Sequence, residues 1–522
     1  MSLPTPNILL SHPKFSAWYP GQELALDSII RWLGSDKRFL CASMPTGSGK
    51  SLLAVLASRL SGYRTAILTV TKGLQEQLTG DFSSIGMVDI RGQNSYLCGL
   101  ADDGETSVED GACHGGIKCS LKQSGCSYYD QVRTAKDSPL LVTNYAYYLA
   151  QTGYSDGLGD IDLLVCDEAH LAFQALESYL AFYLGQSETE SLGILPRGIS
   201  GWDQWQRWAQ RSIPTVDTAH QQALSDLQDA TRITAYQIRR VKHYGDLARR
   251  LRSLAGAEGE WIVEDRKSGW RFTPIWPGQQ SRLLYRSIPK IIVMSATLSA
   301  KTADSLAIPS NNREWLEVPS YFPASNSPVV SIRTCRVDHR ATESDMATWV
   351  NRIDQIIARR QDRKGIVFTV SYDRRNYLLS QSRFANQLYA HGKDDVYRVV
   401  EDFKRASPPA TLISPTVTSG WDFPGADCEY VVVGKIPYPD TRDPVVKARI
   451  EGDREWGAYL AMQTLVQEAG RGTRSAGDRC EYLVVDDNWG QWFWRKYRHF
   501  APEWFGDRVR SGMLDIVPEP LV

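Results

Sequence analysis

The sequence predicts an α/β protein built from two doubly wound parallel sheets, and three observations predict it. Apolar runs recur through both halves: RFLCAS before residue 44, TAILTV, PLLVTN, DLLVCD, KIIVMSAT, GIVFTV, ATLISP, EYVVVG and EYLVVD. Each has the continuous hydrophobicity of a strand buried on both faces. Polar or helical stretches separate these runs, the rhythm of parallel strands joined by helices, and such sheets bind ligands at the carboxyl ends of their strands. The 522 residues exceed what one core usually organises. SYFPASNSPV, at about 320–329, has the Pro, Ser and Asn content of a linker, placing one sheet on each side of about residue 325.

Composition excludes several classes. A hydrophobic share of 42% and a charged share of 23% are ordinary for a globular protein. Nowhere do about 18 apolar residues run together, and the start MSLPTPNILLSHPKFSAW lacks a secretory signal, so an intracellular protein without a membrane partner is expected. A net charge of -1 gives no global attraction to a polyanion, so any nucleic-acid affinity must come from local basic grooves. Nine cysteines, an odd number without an export signal, argue against a disulfide framework.

Along the chain, MPTGSGKS at 44–51 lies between the strand-like RFLCAS and the helix-like LLAVLASRL, the setting a phosphate-binding loop requires. Thr46, Gly47, Ser48 and Gly49 would close backbone N–H groups around phosphates. Lys50 would supply a point charge to the β- and γ-phosphates and Ser51 a hydroxyl to Mg2+. LLVCDEAH at 163–170 ends a strand in two adjacent acids aimed at the same crevice, where Asp167 would hold Mg2+ and Glu168 would polarise the attacking water. Together they imply hydrolysis of a nucleoside triphosphate. Residues 92–130 hold four cysteines amid Gly, Asp and Ser, a composition that needs a staple. Residues 171–255 read almost wholly helical, with apolar residues every three or four positions. EWIVEDRKSGWRFTPIW then reads as a hairpin turning at KSG.

With these residues in place the chain resembles the superfamily 2 helicases, and within them the iron-sulfur group of XPD/DinG type, over nearly its whole length. The loop has Met44 where the general phosphate-loop pattern has glycine, and so matches the shorter PTGxGKS form of helicase motors. WYPGQ at 18–22 is similar to the adenine-reading element, which implies that Gln22 contacts the base. TVTKGLQEQL at 69–78 is similar to the strand-contacting motif, implicating Thr71 and Lys72, and SATL at 295–298 to the element coupling the two domains. SGWDFPG at 419–425 resembles motif V, implicating Asp422 at the nucleotide and Thr418 at the strand. QEAGRGTR at 467–474 resembles motif VI, implying that Gln467 positions water and that Arg471 and Arg474 stabilise the transition state. The resemblance implies two recA-like P-loop motor domains with an iron-sulfur insertion and a helical arch insertion in the first. The expected division is 1–91, 131–170 and 256–325 for the first motor domain, 92–130 for the iron-sulfur insertion, 171–255 for the arch and 326–522 for the second motor domain.

Cys98, Cys113, Cys119 and Cys126 leave no CxxC pair of the kind that anchors most structural zinc sites, which favours a 4Fe-4S cluster. Zinc and unliganded thiols remain the alternatives. His114 is read as a loop residue, and Cys41, Cys166, Cys335, Cys428 and Cys480 as core. Arg232, Arg239, Arg240, Lys242, Arg249, Arg250 and Arg252 form either an arch surface facing a strand pore or a solvated helix face. Trp202, Trp205 and Trp208 either stack bases or pack the insertion. Arg495, Lys496 and Arg498, set among aromatics, suit a strand-contacting surface or a domain edge.

The expectation is a monomeric, ATP- and Mg2+-dependent DNA helicase. It would act on single-stranded DNA and on fork or duplex DNA, with RNA or an RNA–DNA hybrid as a further substrate and a protein complex as recruiter. The resemblance implies 5′ to 3′ movement; the residues themselves carry no polarity signal. A translocase that remodels without unwinding shares every motor motif. A scaffold with a degenerate motor is opposed by the intact Lys50, Asp167, Glu168 and Arg471.

Overall fold

The computed structural model describes residues 3–101, 104–111, 113, 119–152, 157–230, 234–415, 421, 423–470, 472–473 and 477–521. In chain order the strands are β1 (Phe39–Ser43), β2 (Thr65–Thr69), β3 (Met87–Asp89), β4 (Leu140–Asn144) and β5 (Leu163–Cys166). Then come β6 (Phe182–Gly185), β7 (Trp261–Arg266), β8 (Gly269–Pro274), β9 (Lys290–Ser295) and β10 (Arg313–Glu317). The second half adds β11 (Val329–Ile332), β12 (Lys364–Phe368), β13 (Leu388–Ala390), β14 (Ala410–Ser414), β15 (Tyr430–Val433), β16 (Glu481–Val484) and β17 (Val509–Leu514). Two seven-stranded parallel sheets result, ordered β10-β1-β9-β5-β2-β4-β3 and β13-β14-β12-β15-β16-β11-β17. All nine apolar runs become strands in these two sheets. Residues 318–328 join β10 to β11, where the linker was expected.

Parallel register decides where the chemistry sits. Ser43 pairs with Ser295, Thr69 with Asn144 and Leu68 with Cys166. The segments leaving β1, β2, β4, β5 and β9 therefore emerge side by side at one carboxyl edge. Four helices flank these strands: α1 (Gln22–Leu33) precedes β1, α2 (Lys50–Ser61) follows it, α3 (Lys72–Phe82) follows β2, and α4 (Ser127–Asp137) precedes β4. Thr71 ends the approach to α3 as its N-cap, its Oγ1 accepting from Leu74 N at 3.2 Å. After β4 and β5 come α5 (Tyr145–Thr152) and α6 (Ala172–Leu180).

The segment expected to be almost wholly helical is so among the described residues, apart from one short strand. It holds α6, then β6, then two long helices, α7 (Trp202–Gln228) and α8 (Ala235–Ala255), whose pairs Arg240–Asp226 and Arg252–Asp217 show them antiparallel. The β7–β8 hairpin turns at Lys267–Ser268 as the sequence predicts. It pairs with β6 in its own antiparallel sheet, so the insertion recruits chain beyond residue 255. A Cβ on Gly269 would stand 2.1 Å from Leu184 O, which fixes a glycine at that strand contact. Trp205 packs edge-on against Trp208, Trp270 and Phe272, while Trp202 stacks on Trp261 at 5.5 Å, so the three tryptophans bind the helices to this sheet. Arg249 pairs with Asp246 and Arg250 with Glu188, so charge complementarity within the insertion takes up much of its basic run. Lys242 instead reaches across to Glu109, its Nζ donating to the carbonyl and the carboxylate at 3.3 Å, and so joins the arch to the cysteine-rich segment.

Between the domains, α9 (Pro444–Gly452) and α10 (Trp456–Ala469) of the second half lie against the first. Tyr459 donates its hydroxyl to Thr302 Oγ1 at 2.9 Å, Trp504 donates Nε1–H to Ala296 O at 3.2 Å, and Lys301 pairs with Asp453. No helix among the described residues is long and apolar enough to cross a membrane.

Candidate nucleotide site and nucleic-acid interface

The loop from Met44 to Gly49 turns on two residues in the left-handed region, Gly47 at φ 79° and Gly49 at φ 80°. Only glycine adopts that conformation without a Cβ penalty. Gln22 lies under the loop: its Nε2 donates to Ser48 O at 2.8 Å and its Oε1 accepts from Tyr19 N at 2.9 Å. The amide thus ties the loop to the backbone at Tyr19, a structural task the motif resemblance did not suggest. Ser48 Oγ is buried without a hydrogen-bond partner, a polar atom set inside the phosphate loop.

Lys50 begins α2, with its Nζ 3.6 Å from Glu168 Oε1, and Ser51 follows in the same first turn. Burial and the neighbouring Glu168 carboxylate push Asp167 up, against the pull of Lys50. Burial would also raise Glu168, but the charge of Lys50 and the hydrogen bond and charge of His170 outweigh it and hold this carboxyl low. Glu168 sits at φ 47°, a left-handed backbone rare for a non-glycine residue. His170 Nδ1 stands 2.8 Å from Ser295 Oγ and 3.3 Å from Glu168 Oε2, while Ser295 Oγ accepts from Thr297 N at 3.1 Å. The DEAH acids and the SATL segment therefore form one hydrogen-bonded group, which the separate motifs did not reveal.

From the other domain, α10 carries Gln467 and ends at Gly470. A Cβ on Gly470 would lie 2.9 Å from Thr46 Oγ1, so the end of α10 touches the phosphate loop. Gln467 Nε2 is buried without a hydrogen-bond partner. Arg471, Arg474, Asp422 and Thr418 lie outside the described residues, as do His114 and Arg232.

The type III restriction enzyme res-subunit family matches residues 16–185, and the helicase C-terminal domain family matches residues 353–508. Among solved structures, an XPD helicase is 18% identical with a TM-score of 0.62, covering 95% of this chain and 99% of its own. The S. tokodaii protein Xpd4 is 14% identical with a TM-score of 0.58, covering 95% and 100%. The fold is that of these XPD helicases. A third XPD structure, titled as the apo form, is 16% identical with a TM-score of 0.56, covering 90% and 97%. No curated protein sequence matches the chain.

In the cysteine-rich segment, burial first, and then the charges of Cys119, Cys98 and Cys126, raise the Cys113 thiol, so the other three sulfurs lie within electrostatic reach of it. Gly111 leaves room beside Cys98, whose Sγ lies 3.2 Å from where a Cβ would stand. Among the described residues no group of three or more His, Cys, Asp or Glu side chains is placed to hold a metal ion. The other five cysteines are buried and free. At the residues expected to contact a strand, the Thr71 hydroxyl is engaged in capping α3, and exposed Lys72 donates to Ser95 Oγ at 3.1 Å. Arg495, Lys496 and Arg498 are exposed while Phe493, Tyr497 and Phe500 pack inward.

Proposed function

We propose that this XPD-like chain is an ATP-driven helicase that translocates 5′ to 3′ on single-stranded DNA and opens forks. The observation that carries the reading is the meeting of Gly470 with Thr46. It brings the motif VI end of the second domain onto the phosphate loop of the first, so a triphosphate held there would be completed by both lobes. Lys50 binds the phosphates, Glu168 polarises the attacking water, and Gln467, whose Nε2 is buried without a hydrogen-bond partner among the described residues, positions that water. Ser51 and Asp167 would hold Mg2+, which supplies charge neutralisation at the phosphates when bound. Arg471 and Arg474 follow Gly470 in sequence and are assigned the transition-state charges. Gln22 and Asp422 are assigned to the nucleotide, and Thr71, Lys72 and Thr418 to the strand.

Cys98, Cys113, Cys119 and Cys126 are assigned to a 4Fe-4S cluster, since four thiols without other donors suit it. Purified protein should be brown with matching iron and sulfide, and Cys113→Ser should lose both; a colourless zinc protein would overturn the assignment. The function is tested by unwinding of 5′-tailed and 3′-tailed forks, in DNA and RNA versions, beside Lys50→Ala. Opening of 5′-tailed DNA forks, lost in Lys50→Ala, is expected. Strand-stimulated hydrolysis that opens no fork would make the chain a translocase.

A further inference from the structure

A cavity of about 500 Å³ opens at the carboxyl edge of the first sheet, lined by Val70, Tyr145, Leu171, Gln174, Ala175 and Tyr179. Its walls are continuous with both chemistries of the motor. Val70 directly precedes Thr71 and Lys72, and Leu171 directly follows His170. Tyr145 donates its hydroxyl to the Asp167 carbonyl at 2.8 Å, so one wall is tied to the backbone of a DEAH acid.

The third wall is α6, and its two faces have different neighbours. Gln174, Ala175, Ser178 and Tyr179 recur at helical spacing and face the cavity. Phe173 and Glu177, one turn apart on another face, meet the second domain: Arg449 of α9 donates to Glu177 and lies 4.8 Å over the Phe173 ring, and Phe173 packs on Trp456 at 5.0 Å. A helix of nine residues therefore touches the cavity, begins just after the DEAH segment and grips the opposite lobe.

We propose that this cavity takes one nucleobase of the bound strand and that α6 with Tyr145 passes its occupancy to the ATP site and to the second domain. The inference rests on the motor reading and names the contact by which strand and hydrolysis communicate. The occupant follows from chemistry. The walls are mainly apolar and aromatic, which suits the face of a planar ring. Thr71 and Lys72, assigned above to the strand, directly follow Val70 in the chain, so a strand held there would present its bases to this opening. Filling the cavity fixes the tilt of α6, and a shift there reaches Leu171 at one end and the Arg449 contact on its far face.

The test compares a thymidine oligomer with the same sugar-phosphate strand lacking every base, reading strand-stimulated ATP hydrolysis. In the unmodified protein the abasic strand is expected to stimulate about tenfold less, the worth of one aromatic stacking contact. Ala175→Trp, which fills the cavity, should erase the difference in stimulation between the two strands. Ala146→Trp on the opposite wall repeats the test, each variant first shown to melt as the unmodified protein does. Tyr145→Phe, which keeps the ring and removes the hydroxyl bonded to Asp167, should bind the thymidine strand equally well while stimulation falls. Equal stimulation by both strands in the unmodified protein, or full base dependence in both tryptophan variants, would overturn the proposal while leaving the motor standing. Failure of every strand to stimulate the unmodified protein would overturn the motor reading and this inference with it.

Discussion

At Gly49 a Cβ would come 2.2 Å from Gln22 Nε2, and the backbone already sits at φ 80°. A side chain there would cost about 1–2 kcal/mol in backbone strain alone and would also push out the glutamine that braces the loop. Gly49→Ala should therefore weaken ATP binding by about tenfold or more, measured by titration with a nonhydrolysable analogue. At this scale the sequence spoke clearly about identity and poorly about partners. MPTGSGKS and DEAH announced Lys50, Asp167 and Glu168 because phosphate and water activation demand those groups at those strand ends. That Gln22 would hold Ser48 O, or His170 would lean on Ser295, depends on residues 26 and 125 positions apart. No local spacing encodes those contacts.

Among the elements, α6 and the arch carry the most. Arg449 is nearly buried, its Nε donating to Ile275 O at 2.6 Å while the same guanidinium serves Glu177 and Phe173. Arg449→Ala leaves Glu177 without its cation and should lower strand-stimulated turnover by about ten- to a hundredfold, as expected when a buried charge pair is broken. Steady-state kinetics with and without strand would measure it. The arch has its own anchor in Glu188. Burial would raise its carboxyl, but hydrogen bonds from Arg250 and Gly185 N outweigh that and lower it. A carboxyl lowered on folding lends stability above its unfolded value, near pH 4.3, and loses it as pH falls through the folded value. Protection factors of the amides in β6 and α8, corrected for the intrinsic exchange rate at each pH, should therefore fall as pH drops through and below that range, and Glu188→Gln should remove most of that dependence. Strand legibility followed burial except at β11, which lies between β16 and β17 but is only four residues long and abuts the linker. The nine runs found are central or fully buried, whereas β3, β10, β13 and β17 are short or half-exposed edges with no continuous apolar signal. β6 escaped because FYLG sits between two helical stretches and gains its partner only from β8, some 85 residues on.

For the molecule as a whole, one apolar cluster runs through both lobes, each lobe adds a cluster of its own, and the second holds a buried ion pair. In the second, Arg360 is 0% exposed and forks onto Glu481, 3% exposed, with Nε and Nη2 donating at 2.8 and 2.9 Å. Arg360→Ala should destabilise that lobe by about 3–5 kcal/mol, seen as an early melting transition, and replacing both partners with apolar residues of similar volume should restore most of it. Two lobes were legible because apolar runs fell on both sides of a Pro- and Ser-rich linker; the contacts joining them were not, because they link residues hundreds of positions apart. Sheet order carries one more consequence. β1, which leads into the phosphate loop, has β9 and β10 as its only ladder partners, and these are made some 250 residues later. At a synthesis rate of about 5–20 residues per second, an apolar strand with both edges open waits on the order of ten seconds or more at the ribosome. Such a nascent chain is a client for a chaperone that shields the segment around Cys41 until Met294 arrives beside Ala42.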